Sequence, residues 1–403
     1  MTATTARESN ESIFTTTQAY TFDDVVIVPA FSSTLPDAVD VSAVFSRDIR
    51  LASPLISAAM DRVTESKMAI AMARSGGLGV IHRNMSIAEQ SQQVVRVKRS
   101  QSGWITDPVT LSISATLQDA EDIMSQFHIS GVPIVNAERK LVGILTNRDT
   151  RFCEAQDFAR SVADFMTAAP LITAPMGTTL AQARTILGKH RLEKLPLVDS
   201  DGTLMGLITV KDILKATEHP NATQDERGRL RCGAAVGVGA DLEERVNALV
   251  KAGVDAVCID TAHGHSLGVL NAIRRIRSDW PDLAIVAGNV VTAEGVEALV
   301  EAGADTVKVG VGAGSICTTR VVSGAGLPQL SAIWEAARAA DRLNIPIIGD
   351  GGVAYSGDIV KAIAAGASTV MIGSMLAGAD ESPGEVELFE GRRYKSYRGM
   401  GSL

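Results

Sequence analysis

The sequence predicts an α/β protein: a closed (β/α)8 TIM barrel with a tandem α+β module inserted into it. Three observations carry that prediction. One strand phrase recurs as Ala252-Gly253-Val254-Asp255-Ala256-Val257-Cys258-Ile259, Ala302-Gly303-Ala304-Asp305-Thr306-Val307-Lys308-Val309 and Ala365-Gly366-Ala367-Ser368-Thr369-Val370-Met371-Ile372. Further short apolar runs bring the strands to eight, most of them separated by segments of helical periodicity. A second self-similarity, with its own period, occupies 107–218.

In chain order, barrel strands are expected at 55–59 and 79–82, then a helix at 86–99 after which the insertion begins. The remaining strands are expected at 234–238, 284–287, 306–311 and 346–350, and at the ends of the phrases 252–259 and 365–372. Near-continuously apolar strands of this length suit a parallel sheet covered on both faces. Eight βα units favour a closed barrel over an open sheet. Each copy of the phrase ends a helix on glycine, which tolerates the left-handed backbone of a helix stop. Asp241 and Glu244 are expected to form a capping box for a helix carrying Leu242, Val246, Leu249 and Val250 on one face. The chemically distinctive loops are Asp260-Thr261-Ala262-His263, Gly288-Asn289, 310–317, Asp350-Gly351-Gly352 and Gly373-Ser374. All follow strand C-termini, the end at which such barrels build active sites.

In the insertion, Thr116/Thr179, Leu117/Leu180, Ala120/Ala183, Pro133/Pro196, Val135/Val198, Gly143/Gly206, Thr146/Thr209 and Asp149/Asp212 share one offset of 63 residues. Each half reads helix, strand, turn, strand, helix. This resembles a pair of CBS modules, at 107–160 and 164–218, between barrel segments 1–106 and 219–403. In that family the threonine and aspartate of a T-x-x-D phrase often hold the ribose of a purine nucleotide. The resemblance implies an ATP or GTP site at Thr146 with Asp149 or at Thr209 with Asp212. Read from the residues alone, both aspartates could equally cap the helices that follow.

With 46% hydrophobic and 21% charged residues, 403 residues are enough for a large core and two domains. A net charge of −8 argues against a nucleic-acid surface. No window of about 18 apolar residues is present, so no membrane span is expected. Cys153, Cys232, Cys258 and Cys317 are widely spaced without a CxxC pair, which fits free thiols in a reducing, cytoplasmic setting. His263 and His265 lack a nearby third ligand and are read as loop residues rather than a metal site.

The most informative segment is the run from Lys308 to Arg320, in which glycines 310, 312 and 314 precede Cys317, Thr318, Thr319 and Arg320. Glycines let the backbone approach a ligand closely. A thiol presented there near a cation is a candidate nucleophile. Asp350, before two glycines at a strand end, is a candidate hydroxyl acceptor; as a turn-forming Asp-Gly pair it also has a purely structural reading.

These residues together resemble the IMP dehydrogenase family. The landmarks are Thr21-Phe22-Asp23-Asp24-Val25, Ser57-Ala58-Ala59-Met60-Asp61, Asp260 to His265, Gly314 to Arg320 followed by Gly326-Leu327-Pro328-Gln329, Ile348 to Gly352, and Tyr397-Arg398-Gly399-Met400-Gly401. The resemblance implies oxidation of IMP to XMP with NAD+ through a covalent Cys317 adduct. It assigns IMP to Ser315, Asp350, Gly351, Gly352, Gly373, Ser374, Tyr397, Arg398, Gly399, Met400 and Gly401. It assigns NAD+ to Asp260, Gly310, Val311 and Gly312, K+ to the carbonyls of Gly312, Gly314 and Cys317, and it implies a homotetramer. Ala313 stands where the family usually has proline, which is expected to loosen the loop slightly.

Two rival readings are a GMP reductase and a non-catalytic nucleotide-sensing subunit. Glu381-Ser382-Pro383-Gly384-Glu385, Val321-Val322 and the phrase 397–401 favour the dehydrogenase, the inserted pair less firmly. In the family the last phrase opens into a flap that activates the hydrolytic water, followed by a final barrel helix. For a chain ending at Leu403, slow hydrolysis of the adduct and an uncovered outer face on the last barrel strand are therefore expected.

Overall fold

Alternation along the strands becomes the two faces of a closed barrel in the computed structural model, which describes residues 18–100, 105, 108–127 and 129–400. The strands are β1 Leu55–Ser57, β2 Leu78–Ile81, β3 Gly233–Val236, β4 Ala256–Asp260, β5 Ala284–Val290, β6 Thr306–Val309, β7 Ile347–Asp350 and β8 Thr369–Ile372. They close in chain order, every neighbouring pair parallel, with β8 returning to β1. All eight lie where the sequence puts them; β5 runs on past 287 to Val290.

Residues of one parity point inward. Ile56, Val80, Ala256, Cys258, Val286 and Ile348 form the barrel interior, closed at one end by Phe45, Ile49 and Leu51 of the hairpin Ala43–Ser46/Ile49–Leu51. The opposite parity, including Val257, Ile259, Ile285, Val307 and Val370, packs against the surrounding helices. Those helices are α1 Ser66–Arg74, α2 Ile87–Ser100, α3 Leu242–Ala252, α4 Leu267–Asp279, α5 Ala293–Glu301, α6 Gln329–Leu343 and α7 Ser356–Ala364. Each fully buried branched side chain contributes roughly 2 kcal/mol, so this double layer sets the fold.

The glycine of each repeated phrase takes positive φ, at Gly253, Gly303 and Gly366, as a helix stop before a strand requires. The expected capping box at Asp241 does not form: its side chain caps nothing and accepts instead from Arg245 Nε at 2.8 Å. The ion pair one turn away outcompetes the cap. Nor is β8 left uncovered, since all four of its residues are buried, with Val370 and Ile372 in the same outer core as Ala362 of α7.

The described residues form two compact units. One comprises those up to Ser100, Asn221–Asp225 and everything from Leu230 onward, and holds the barrel; the other runs from Ile105 to Pro220 with Glu226–Arg229. In the second unit the repeat is visible in the packing. Leu117, Ala120, Met124, Val132, Ile134 and Leu145 build one small core. Ala183, Leu187, Leu195, Leu197 and Ile208 build the other at equivalent positions. The halves differ after their Thr-x-x-Asp phrases. Thr209 leads into helix Val210–Glu218, whose Ile213 is buried. After Thr146, polar Thr150 stands at the position equivalent to Ile213, and the chain makes turns before a short 3-10 helix at Ala155–Ala159.

Candidate active site

Strand parity delivers three charged side chains to the inner face at the C-terminal end of the barrel. Cys258 points inward on β4, so Asp260 does too. Ile348 points inward on β7, so Asp350 does as well. On β6, Val307 and Val309 face the helices, which leaves Lys308 inside. Lys308 is 3% exposed and its Nζ donates to Asp260 Oδ1 at 2.7 Å and to Asp350 Oδ2 at 2.6 Å. Gly288 makes room, because a β-carbon there would lie 2.8 Å from Lys308 Cβ. Burial alone would lower the Lys308 pKa, but the two carboxylates outweigh it and hold the ammonium above the ordinary lysine range.

Asn289, just after Gly288, donates through Nδ2 to Asp350 Oδ2 at 2.8 Å and to the Gly310 carbonyl at 2.6 Å. Asp350 Oδ2 is thus doubly engaged, which leaves Oδ1 as the oxygen for a ligand hydroxyl. Asn289 Oδ1 is a buried acceptor with no partner among the described residues, suited to a ligand N–H or O–H. Gln329, at the start of α6 and 1% exposed, donates through Nε2 to the carbonyls of Val309 and Asp350, both at 3.0 Å. One amide therefore ties the root of the cysteine loop to the Asp350 turn.

The cysteine loop depends on its glycines. Gly310 has φ +141°, and a β-carbon there would lie 2.2 Å from the Asp350 carbonyl oxygen. Gly351 lets the loop settle onto the next turn, where its β-carbon would meet Gly314 N at 3.1 Å and Ala313 Cβ at 3.3 Å. Cys317 is exposed; its N–H donates to Gly314 O at 3.0 Å and its Sγ lies 3.2 Å from Thr319 Oγ1. Arg320 does not serve as the thiol's cation. Its guanidinium is spent on the carbonyls of Val311 and Leu327, so it braces the loop from behind.

Tyr397 meets the other side of this mouth. Its hydroxyl lies 3.7 Å from Met60 Sδ, and a β-carbon on Gly373 would be 3.0 Å from it. Burial pushes the phenol pKa up and the charge of Asp350 adds to this, while a hydrogen bond with Ser315 pulls it down. Ser315, Gly373, Tyr397 and Asp350 are therefore neighbours. Arg398 pairs with Asp61 Oδ2, which also accepts from Asn84 Nδ2 at 2.9 Å. Burial opposes ionisation of Asp61, but these partners hold its carboxyl below the usual range. Met400 reaches the same residue, its Sδ 3.4 Å from Asp61 N. Gly399 follows in the same segment, Ser374 begins the short helix Ser374–Ala377, and Gly401 lies outside the described residues.

Sequence reasoning singled out the thiol, the two aspartates and the glycines. It gave no role to Lys308, Asn289, Gln329 or Asp61. The available signal was parity: a lysine between Val307 and Val309, on the inner face of a buried strand, needs acidic partners. The other thiols are poor nucleophiles, as burial pushes both Cys232 and Cys258 up to about 12. No cluster of three or more His, Cys, Asp or Glu that could hold a metal occurs among the described residues. None of their helices is long and apolar enough to cross a membrane.

The fold and mouth define an α/β-barrel with a glycine-framed cysteine and an Asp-Lys-Asp array whose lysine is buried. The model of the IMP dehydrogenase / GMP reductase domain matches residues 19–403, and the chain belongs to that family. It is 57% identical over 386 residues to an inosine-5'-monophosphate dehydrogenase of Aquifex aeolicus, covering 96% of this chain and 79% of the relative. It is 57% identical over 388 residues to that of Bacillus subtilis, with the same coverage. Among solved structures, a GMP reductase from Trypanosoma brucei with one cysteine replaced by alanine, in complex with guanosine 5'-monophosphate, superposes with TM-score 0.88 at 40% identity. That match covers 98% of this chain and 84% of the other, so it takes in the inserted unit. The insertion consequently does not separate dehydrogenase from reductase.

Proposed function

We propose that this chain oxidises IMP to XMP with NAD+, with Cys317 as nucleophile. The carrying observation is the exposed Cys317 on a loop seated against the Asp350-Gly351-Gly352 turn, in a chain 57% identical to named IMP dehydrogenases. The Cys317 thiolate adds to C2 of the purine; hydride leaves C2; water then splits the thioimidate, releasing XMP and the thiol. NAD+, when bound, supplies the hydride acceptor, with Asp260, Gly310, Val311 and Gly312 as the residues that would hold it. Asn289 Oδ1 supports that fit as a buried acceptor awaiting a donor.

Asp350 Oδ1 accepts from the ribose of IMP. The phosphate goes to Ser315, Tyr397 and the amides of Gly351, Gly352, Gly373 and Ser374, and the base to the segment 398–401. A K+ site at the carbonyls of Gly312, Gly314 and Cys317 belongs to the same reading, since carbonyl oxygens are hard donors suited to such an ion. So do a homotetramer, a cytoplasmic setting, and the domain assignment in which 107–218 is a CBS pair binding ATP or GTP at Thr146, Asp149, Thr209 and Asp212.

Reduction of GMP is the second reading, favoured by the superposition on a GMP reductase. Incubation with IMP and NAD+, and separately with GMP and NADPH, decides between them in the NADH absorbance band. A rise in the first arm with none of the opposite change in the second is the expected result. The reverse outcome overturns the proposal.

A further inference from the structure

The Lys308 ammonium is shared between two carboxylates that the proposed function gives to different ligands, Asp260 to the dinucleotide and Asp350 to the nucleotide. Resting on that reading, we propose that Lys308 is a positioning residue that couples the two ligand sites. Its Nζ sits within hydrogen-bond reach of both carboxylates, on the strand between them. It is buried, so solvent does not screen the exchange.

A cation held this way is a divided donor. When a ligand hydroxyl takes up acceptor capacity on one carboxylate, that group's hold on the ammonium weakens and the ammonium shifts its share to the other. Binding at either site then alters the acceptor strength of the opposite carboxylate, with reciprocal effects on affinity. Asn289 joins the same circuit, since it donates to the same Asp350 oxygen as Lys308 and to the Gly310 carbonyl of the cysteine loop. Gly288 keeps the place for this one side chain, because any β-carbon there would strike the Lys308 carbonyl oxygen at 2.5 Å.

The test uses the full chain with Cys317→Ala, in which IMP and NAD+ are held together without forming the adduct. Calorimetry gives the IMP affinity with and without saturating NAD+, and the ratio of the two is the coupling factor. A factor of about 5 or more is expected in this parent. Adding Lys308→Met should bring it to 1, while Lys308→Arg, which keeps a buried cation with several donors, should restore much of the coupling.

Asp260→Asn, a gentler change, should weaken IMP binding even without NAD+, because the whole ammonium then falls to Asp350. Independent sites predict no change there. A Lys308→Met protein that binds IMP with unaltered coupling overturns the proposal. Should Lys308→Met fail to fold, unchanged IMP affinity in Asp260→Asn overturns it equally. If the Cys317→Ala parent binds no IMP at all, the functional reading itself falls and the coupling with it.

Discussion

The barrel mouth and the inserted repeat each carry aspartates at or just beyond strand ends, yet they use them in opposite ways. At the mouth, Asp260 and Asp350 pair with a buried lysine on a third strand. In the repeat, Asp149 and Asp212 turn back on their own phrases. Asp149 Oδ2 accepts from Thr146 N at 2.7 Å and Thr146 Oγ1 at 2.8 Å. Asp212 Oδ2 accepts from the same groups of Thr209 at 2.9 and 2.6 Å. Carboxylates joined through a shared cation respond to what binds at a distance; carboxylates closed on a local turn hold that turn. The mouth thus links two strand ends through one buried cation, and the Thr-Asp phrases contribute local stability whatever else they bind.

The largest effect expected from this contrast is functional. Cys317→Ser should reduce IMP oxidation by at least about 10³-fold, because serine offers no comparable nucleophile at neutral pH. The thiol is exposed and its backbone contact with Gly314 survives the change, so the melting temperature should barely move. Initial-rate assays beside thermal melting check both halves. Undiminished activity removes the thiol from the mechanism and leaves the mouth no more than a structural cluster.

Gly310→Ala strikes the mouth through its backbone instead. A side chain must there occupy φ +141° and approach the Asp350 carbonyl to 2.2 Å, so the β6 end, the Gln329 tie and the Asp350 turn have to part. A loss of about 3 kcal/mol or more in denaturant unfolding is expected, with activity lost alongside. A neutral result would mean that the cysteine loop is not held against Asp350.

How much of this could be read from residues alone follows from the range of the interactions. Eight strands were legible because burial writes itself into local periodicity, and the thiol because glycines at 310, 312 and 314 announce close approach. The capping box at Asp241 was misread because Arg245, one turn on, competes for the same carboxylate. Lys308, Asn289 and Gln329 were passed over because their partners lie on other strands; only strand parity hinted at Lys308, and nothing local distinguished Gln329. The uncovered β8 was expected from the family pattern, whereas its burial is supplied by its neighbours, such as Ala362 of α7.

A smaller effect tests electrostatics at the rim. Asp61 is held below its usual pKa by Arg398 and Asn84 against the opposing pull of burial. A depressed folded-state value means stability that is present above the ordinary aspartate range and lost as pH falls through the folded value. Asp61→Asn should therefore melt lower than the parent at neutral pH, by the equivalent of about 1 kcal/mol. The gap should close in strong acid, where the parent carboxylate is protonated as well. A gap independent of pH would mean that Asp61 acts through packing, with Arg398 a bystander.

The finest test separates the two halves of the repeat. Asp212 sits in the first turn of helix Val210–Glu218, and its N–H donates in return to Thr209 Oγ1 at 3.4 Å. Asp149 makes the same threonine bonds with no helix after it to cap. Asp212→Ala should cost about 1 kcal/mol, the usual worth of a helix cap. Asp149→Ala should cost half as much, near the low end for a hydrogen bond at about 0.5 kcal/mol. Unfolding followed by hydrogen exchange in 204–218 against 141–153 resolves the two. Equal losses would show that the turn itself, rather than the helix, is what these carboxylates stabilise, and would bring the repeat's two phrases back into a single class set apart from the mouth.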